Sequence, residues 1–539
     1  MIGEIARIGE AAVAGDESRL LEAVIEELPR PKKKGDRPLL VRLELQSDPP
    51  ALGFTPIELD PGRAAEYAWL GNARGNRPQI RVTTNNLAYL LGQTPSALAE
   101  HDRTPPEVKA LLDRVFPGLF HVDGDLSGSE RRYAYLLHAE RLGLVSPAEW
   151  EEVLAKRPKE QAKKLAELLH AREGLLKDGV LYTLVIDGEA IAKHPAYRRF
   201  LTEDLVAEAF EKPTEGICHL CGEKAPLSAD FTRFKLLKFY INDKLSFAYG
   251  LDPSRFHQSY AVCRRCYVNL LAGERTLAKT FATRVLQSDT LLIPHLGKRP
   301  HALETLGADL KAAARGLDRL ERVPALLQKL KDHARFPQLT LLFVEKSQSA
   351  VKVQEAVPEV EPSRIYTLLL AMGEANEHAQ RLFGRPGGEG EGRWLRGLGS
   401  LLYLLPLRHQ RGSPNLKPAL HAFRQILLAE PQSRTAWIRG FLEILRFAHR
   451  KNPGLYATRN CNRENACPEL HFLIPPMAAF LAFLERAGMV EEVKAVKVET
   501  RDYQEPIAEL GLDGPRAALF LLGVLLARVA SEQYKKGKS

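Results

Sequence analysis

Two short stretches, Gly216-Ile217-Cys218-His219-Leu220-Cys221-Gly222-Glu223 and Ala261-Val262-Cys263-Arg264-Arg265-Cys266-Tyr267, organise the middle of this chain. Each carries a CxxC pair. A two-residue spacer lets one tight turn bring both sulfurs to about 2.3 Å from a single ion, and two such turns complete a tetrahedron. The intervening residues 222–262 exceed the roughly 15 to 20 of compact four-cysteine sites. The metal is therefore expected to tie the base of an inserted lobe, and a minimal finger is not expected. A redox CxxC and a pair of disulfides are the competing readings. Only six cysteines occur in 539 residues, and Glu4, Arg7 and Glu10 stand where a secretory leader needs an apolar core. Reduced thiols and a cytoplasmic location are expected on that basis, with structural zinc on Cys218, Cys221, Cys263 and Cys266. Cys461 and Cys467 have no second pair beside them and read as free thiols or a local disulfide.

Working outward, the length exceeds what one core usually serves. The fold class expected is α+β: an N-terminal mixed α/β domain over 1–205, a zinc-binding lobe over 206–300, a helix-strand connecting segment over 301–362 and a helical C-terminal domain over 363–539. Leu39–Leu45, Gln79–Thr84, Val180–Ile186 and Gln338–Val344 read as strands, apolar or β-branched with turn formers at their ends. Ser129–Leu142, Pro147–Glu173 divided at Pro158, Thr276–Leu286 and Ala302–His333 show apolar residues at three- and four-residue spacing and read as helices. Pro358, Glu361 and Pro362 mark a junction, and the glycine-rich Phe383–Arg393 reads as a mobile loop. Beyond it, Pro418–Ala429, Pro431–His449, Pro475–Ala487 and Pro515–Tyr534 each begin near a proline, which suits the first turn of a helix. The longest apolar run near the C-terminus, Ala517–Ala527, falls short of the roughly 20 residues that span a bilayer, so no membrane partner is expected.

Charge points to an anionic partner: 76 Lys and Arg against 67 Asp and Glu leave a formal net charge of +9, and nucleic acid is the commonest such partner. Between the knuckles, Phe231, Phe234, Phe239, Tyr240, Phe247 and Tyr249 interleave with Arg233, Lys235, Lys238 and Lys244. That mixture suits either base stacking with phosphate pairing or the small core that a metal-tied lobe needs, and core is favoured for most of the aromatics. Arg255, Arg264 and Arg265 are better placed for contacts outside the lobe. A second basic patch, Gly71-Asn72-Ala73-Arg74-Gly75-Asn76-Arg77-Pro78, offers Asn72, Arg74, Asn76 and Arg77 to phosphates or base edges, or simply turns between strands. Lys235, Lys238, Arg264 and Arg265 complete the candidate nucleic-acid set. Catalytic signatures are weak. His101-Asp102 has no partner at helical spacing and reads as a surface turn beside Arg103. Gly537-Lys538-Ser539 has Glu532 where a phosphate loop needs glycine.

Several blocks together resemble the large subunit of a type I-B CRISPR effector complex, the RNA-guided Cascade assembly. They are Tyr67–Thr84; Gly216–Leu271, with both CxxC pairs around Lys235-Leu236-Leu237-Lys238-Phe239-Tyr240 and Asp243-Lys244; Leu341–Lys346 leading to Val357–Ile365; and the apolar helix around Phe520–Gly523. The cysteine block is the most specific piece. The resemblance implies binding and scaffolding without catalysis. Such a subunit sits beside the subunit holding the 5′ end of the guide CRISPR RNA and the backbone subunits. It recognises the short motif flanking the target in double-stranded DNA, helps begin strand separation and presents the complex to a helicase-nuclease, while base pairing reads the target. Members of the family usually continue into a further helical bundle. This chain ends at Lys535-Lys536-Gly537-Lys538-Ser539 soon after a helix, so the expectation is that part or all of that bundle is missing or made separately, with a small subunit as the alternative source of non-target-strand binding. A metal-dependent nucleic-acid-processing enzyme and a zinc-stabilised protein scaffold are the alternative readings.

Overall fold

The computed structural model describes residues 1–31, 37–72, 78–236, 245–247, 249–297, 302–320, 328, 337–346, 351–386, 392–410, 413–449, 470–490 and 503–535. The chain forms two compact units, Met1–Thr280 and Phe281–Ser539. A mixed α/β N-terminal region carries the four-cysteine cluster, and a mainly helical region ends the chain.

In the first unit, strands β1 (Leu39–Ser47) and β2 (Pro50–Glu58) form a hairpin. The short β3 (Thr83–Thr84) ends the sheet beside β6; β4 (Phe120–Val122) and β5 (Tyr135–Leu137) pair separately; β6 (Leu181–Ile186) and β7 (Glu189–Ala190) close the set. The sheet order is β2-β1-β6-β3, with β1 and β6 parallel and β7 on the end of β6. β6 is buried along its whole length and is mostly apolar, as a central strand covered on both faces should be, with the hydroxyl of its one small polar residue, Thr183, meeting Thr83 Oγ1 at 3.1 Å. A parallel pair needs a long crossover, and the residues between β3 and β6 supply it with four main helices, Thr94–Glu100, Pro106–Leu119, Pro147–Leu154 and Pro158–Arg172. The expected division at Pro158 is present. Ser146 caps the third of these helices through a reciprocal capping box with Glu149.

Two expectations fail here for tertiary reasons. The predicted helix Ser129–Leu142 is a 3-10 turn, Gly128–Tyr133, followed by β5. Pairing with β4 draws Leu136 and Leu137 into the core as neighbours on a strand. Of the predicted strand Gln79–Thr84, only Thr83 and Thr84 pair, antiparallel to β6.

The lobe adds β8 (Thr214–Ile217), β9 (Lys224–Ser228) and β10 (Val262–Cys263) in the order β10-β9-β8, then the long helix Arg264–Thr280. That helix packs against the N-terminal helix Ile2–Val13 at a pair of glycines. A Cβ on Gly9 would lie 1.7 Å from the Asn269 carbonyl oxygen, and one on Gly273 would lie 1.9 Å from the Ile5 carbonyl oxygen. Only hydrogen fits at either place.

The second unit opens with a four-stranded antiparallel meander, β11 (Ala282–Val285), β12 (Ser288–Pro294), β13 (Leu339–Lys346) and β14 (Val351–Val360). The predicted helix Thr276–Leu286 thus stops at Thr280 and becomes a strand. Its turn uses Leu286 and Gln287, both at positive φ (50° and 59°), a two-residue hairpin geometry that Asn and Gly ordinarily supply. Leu286 is fully buried and its N–H donates to Asp318, so tertiary contacts hold the unusual turn. Strand β14 also runs through the expected junction at Pro358, and a helix begins at Pro362.

Helix Leu303–Arg319 lies between β12 and β13, and after β14 come the helices Pro362–Phe383, Lys417–Leu427, Arg434–His449, Leu470–Arg486 and Gly514–Lys535. The helix expected from Pro475 starts at Leu470 and runs through Pro475 and Pro476; Met477, Phe480, Phe483 and Leu484 bury its far end. Arg364 donates to the carbonyls of Ile426 (2.7 Å) and Ala487 (3.4 Å), capping two helix C-termini with one guanidinium. Its half-buried position pushes its pKa down. The expected loop Phe383–Arg393 and the helix through His333 lie partly outside the described residues. Among the described residues no helix is long and apolar enough to cross a membrane.

Candidate metal centre

The first knuckle is the turn joining β8 to β9. Ile217 and Lys224 are the last paired residues; inside them Cys218 N–H donates to the Glu223 carbonyl (2.8 Å) and Gly222 N–H to the Cys218 carbonyl (2.9 Å). Gly222 sits at φ 76°, a left-handed conformation that only glycine adopts freely. The second knuckle is the passage from β10 into the long helix, with Cys263 ending the strand and Cys266 in the first turn. His219 zips the two together: its N–H donates to the Ala261 carbonyl (3.1 Å), and Ala261 N–H returns to His219 Nδ1 (2.9 Å).

All four Sγ atoms consequently lie within 4.8 Å of one another, and Cys221 and Cys263 are 3.8 Å apart. Four thiolates about 2.3 Å from one zinc stand roughly 3.8 Å from each other. The donor set and its spacing fit the ion, which would supply charge neutralisation and a rigid cross-link. Cys218, Cys263 and Cys266 are buried, whereas Cys221 is exposed.

Electrostatics make the same point. Burial raises the Cys218 thiol, but the N–H groups of Cys221, Cys263 and Leu220 outweigh it and bring the pKa down to about 7. The backbone there is built to hold a thiolate. Burial and the neighbouring sulfurs push Cys266 far up, and burial with the Cys218 charge raises Cys263. Four thiolates cannot ionise together in so small a space unless a cation joins them.

Around the knuckles the lobe's core is aromatic. Phe231 and Phe234 are fully buried; the Phe231 ring lies tilted against Tyr260 with centroids 5.4 Å apart, and Phe234 meets Tyr267 edge-on at 5.1 Å. Tyr249 is exposed, and Phe239 and Tyr240 lie outside the described residues. The carboxylate of Glu274, 4 % exposed, accepts from Lys235 N–H (2.6 Å) and Leu236 N–H (2.9 Å) and thereby pins the inter-knuckle segment to the helix at these residues.

Among the described residues, each candidate for nucleic-acid contact also has a partner within the protein. Lys235 Nζ is 3.6 Å from Glu26. Arg264 reaches Glu17 and Glu203, which raise its pKa. Arg265 pairs with Glu223 at 3.0 Å. Asn72 holds its own loop: its amide donates to Asn85 (2.6 Å) and accepts from Thr84 Oγ1 (2.7 Å). Arg74, Asn76, Arg77 and Lys238 lie outside the described residues, as do Cys461 and Cys467. His101 accepts from Arg103 N–H at 3.1 Å in a turn and sets its ring edge against Phe200.

Sequence reasoning missed Arg81. Its guanidinium is driven into the unit and donates to the carbonyls of Leu70 (2.7 Å), Gly71 (2.7 Å) and Asn72 (3.2 Å). Burial brings its pKa down to about 10. The signal available was an arginine directly flanked by the apolar Ile80 and Val82, a position where a buried charge must find partners.

Comparison with known protein families agrees along most of the chain. Residues 1–203 match the N-terminal domain of the CRISPR-associated protein TM1802 family, residues 215–360 its central domain and residues 396–539 its C-terminal domain. No curated protein matches the chain. The four-cysteine centre lies wholly within the central-domain match, and with all three domains present in order the chain belongs to the CRISPR-associated protein TM1802 family.

Proposed function

We propose that this protein is the large subunit of a type I-B CRISPR RNA-guided surveillance complex. In that role it recognises the motif flanking the target in duplex DNA, aids opening of the duplex and presents the complex to a helicase-nuclease. It does no chemistry itself. The observation that carries the reading is membership, over three consecutive domains, of a CRISPR-associated family. The excess of basic residues supports a nucleic-acid partner. The metal centre supports a scaffolding role, since four protein thiolates leave a tetrahedral zinc no position for a reactant. Guide RNA, the backbone and 5′-end-binding subunits and a small subunit are the partners it would keep.

The test is co-purification of the tagged chain with the products of its neighbouring genes, followed by analysis of bound RNA and of duplex binding with varied flanking sequence. The expected result is a complex carrying short guide RNAs whose flank-selective binding disappears without this chain. Selective binding that persists without it overturns the reading, and cleavage by the isolated chain with magnesium or manganese replaces it with an enzyme. An assembly that binds no nucleic acid at any salt concentration leaves the protein-only scaffold, because phosphate contacts strengthen as salt falls.

A further inference from the structure

Helix Gly514–Lys535 is 22 residues long, about 33 Å. Asp513 fixes its start by accepting from Arg516 N–H (3.2 Å), and Arg528 donates to the Tyr503 hydroxyl (2.6 Å). Between these two arginines, residues 517–527 carry no charge. The apolar positions fall on two faces. Ala517, Phe520, Leu521 and Val524 are half-buried, whereas Leu519, Leu522, Leu526 and Val529 are 44–50 % exposed and Leu525 beside them is 57 % exposed. Among the described side chains of this helix none is buried. A helix apolar on both faces belongs in an interior, so the outward face lacks its cover.

The outward residues recur at spacings of three, four and three, the a/d rhythm along which one helix receives another, and Leu525 widens the seam at the adjoining g position. The seam is about 15 Å long, well short of the roughly three to four heptads that sustain a free coiled coil. Two copies of the chain would also bring together formal net charges of +9, which repel. Both charges bracketing the seam, Arg516 and Arg528, are basic, and the Arg516 side chain is 72 % exposed. We propose that this face docks an amphipathic helix of another protein subunit, apolar along its own seam and acidic at its flank, where a carboxylate meets Arg516. So short a seam suits a partner that further contacts already hold beside the chain. The inference rests on the assembly proposed above and places one of its protein contacts on this helix.

The experiment purifies the full-length chain with the products of its neighbouring genes, as wild type, as Leu522→Glu with Leu526→Glu, and as Arg516→Glu. A photocrosslinking residue in place of Leu525 maps the contact in the otherwise wild-type assembly. One protein component is expected to fall about 10-fold in the double variant and by less in Arg516→Glu, while guide RNA and the other components stay. The crosslink should reach that same component, on a helix bearing Asp or Glu. Unchanged composition in the double variant, or a crosslink confined to this chain, overturns the inference and leaves the proposed function standing. A wild-type chain that assembles with none of these proteins overturns both. Sedimentation of the isolated chain as a dimer that the double variant abolishes replaces the partner with a second copy. Binding to phosphatidylglycerol vesicles that the double variant abolishes replaces it with a lipid surface.

Discussion

The cysteine lobe and the meander sheet of the second unit solve the same problem in different ways. The lobe has strands of four, five and two residues and a core built on a few aromatic rings. The meander has strands of four, seven, eight and ten residues, with β13 buried over its first six positions and Phe343 edge-on to Phe423 at 5.5 Å. A small lobe buries too little apolar surface to offset the entropy of ordering it, so it relies on ligated metal, a buried carboxylate and a close helix contact. The larger sheet draws mainly on apolar burial, with single polar ties such as Asp318 at its first turn. Polar and metallic ties appear where hydrophobic area runs out.

The largest expected effect separates the two regions outright. Cys218→Ser or Cys263→Ser should reduce bound zinc from one equivalent per chain to none and abolish amide protection across 214–236 and 256–280, while β12 and β13 keep theirs. Metal analysis with hydrogen exchange checks this, and a metal-free chain with a protected lobe would break the comparison. Next, Phe343→Ala should cost about 3–5 kcal/mol. Phe343 is fully buried, so the loss should appear as reduced stability of the second unit in denaturant with zinc content unchanged.

Gly273→Ala sharpens the account of the lobe. The added methyl would stand 1.9 Å from the Ile5 carbonyl oxygen, and forcing the helices apart should cost about 1–3 kcal/mol despite the better helix propensity of alanine. Urea titration of Gly273→Ala beside Gly3→Ala, where the new Cβ meets open space, measures the difference. The smallest effect concerns a surface tie. Hydrogen bonds from the Ser146 N–H and hydroxyl, with Arg172 beside them, hold the Glu149 carboxyl down to about 2. Its folded pKa lies below the unfolded value near 4.5, so its contribution is present above that value and is lost as pH falls toward 2. Glu149→Gln should flatten the acid limb of the melting curve over that range without touching the metal.

Local chemistry was legible wherever neighbours in sequence carry the signal. The strand over Leu39–Leu45, the helix break at Pro158 and both knuckles follow from residue type and spacing. The turn at Leu286 and Gln287 was not legible, because neither residue favours positive φ and its support comes from Asp318 on a later helix. Periodicity failed at Ser129–Leu142 for a related reason. Apolar spacing there suits a helix, yet pairing with a strand that precedes it secures the burial. The basic residues were legible as charges, but their assignments were not: Lys235, Arg264 and Arg265 each meet a carboxylate, from Glu26, Glu17 and Glu223 respectively.

By itself the sequence determined four sulfur ligands in two turns, the alternation of sheet and helix, and the excess of positive charge. These are properties of residue type and short spacing. Only the tertiary structure decided that Gly9 and Gly273 face each other, that Arg81 gathers three backbone carbonyls, and that Cys221 alone of the four ligands meets solvent. Each of those depends on contacts between segments distant along the chain. Such contacts are selected by the free energy of packing the whole unit, which no local window of residues contains.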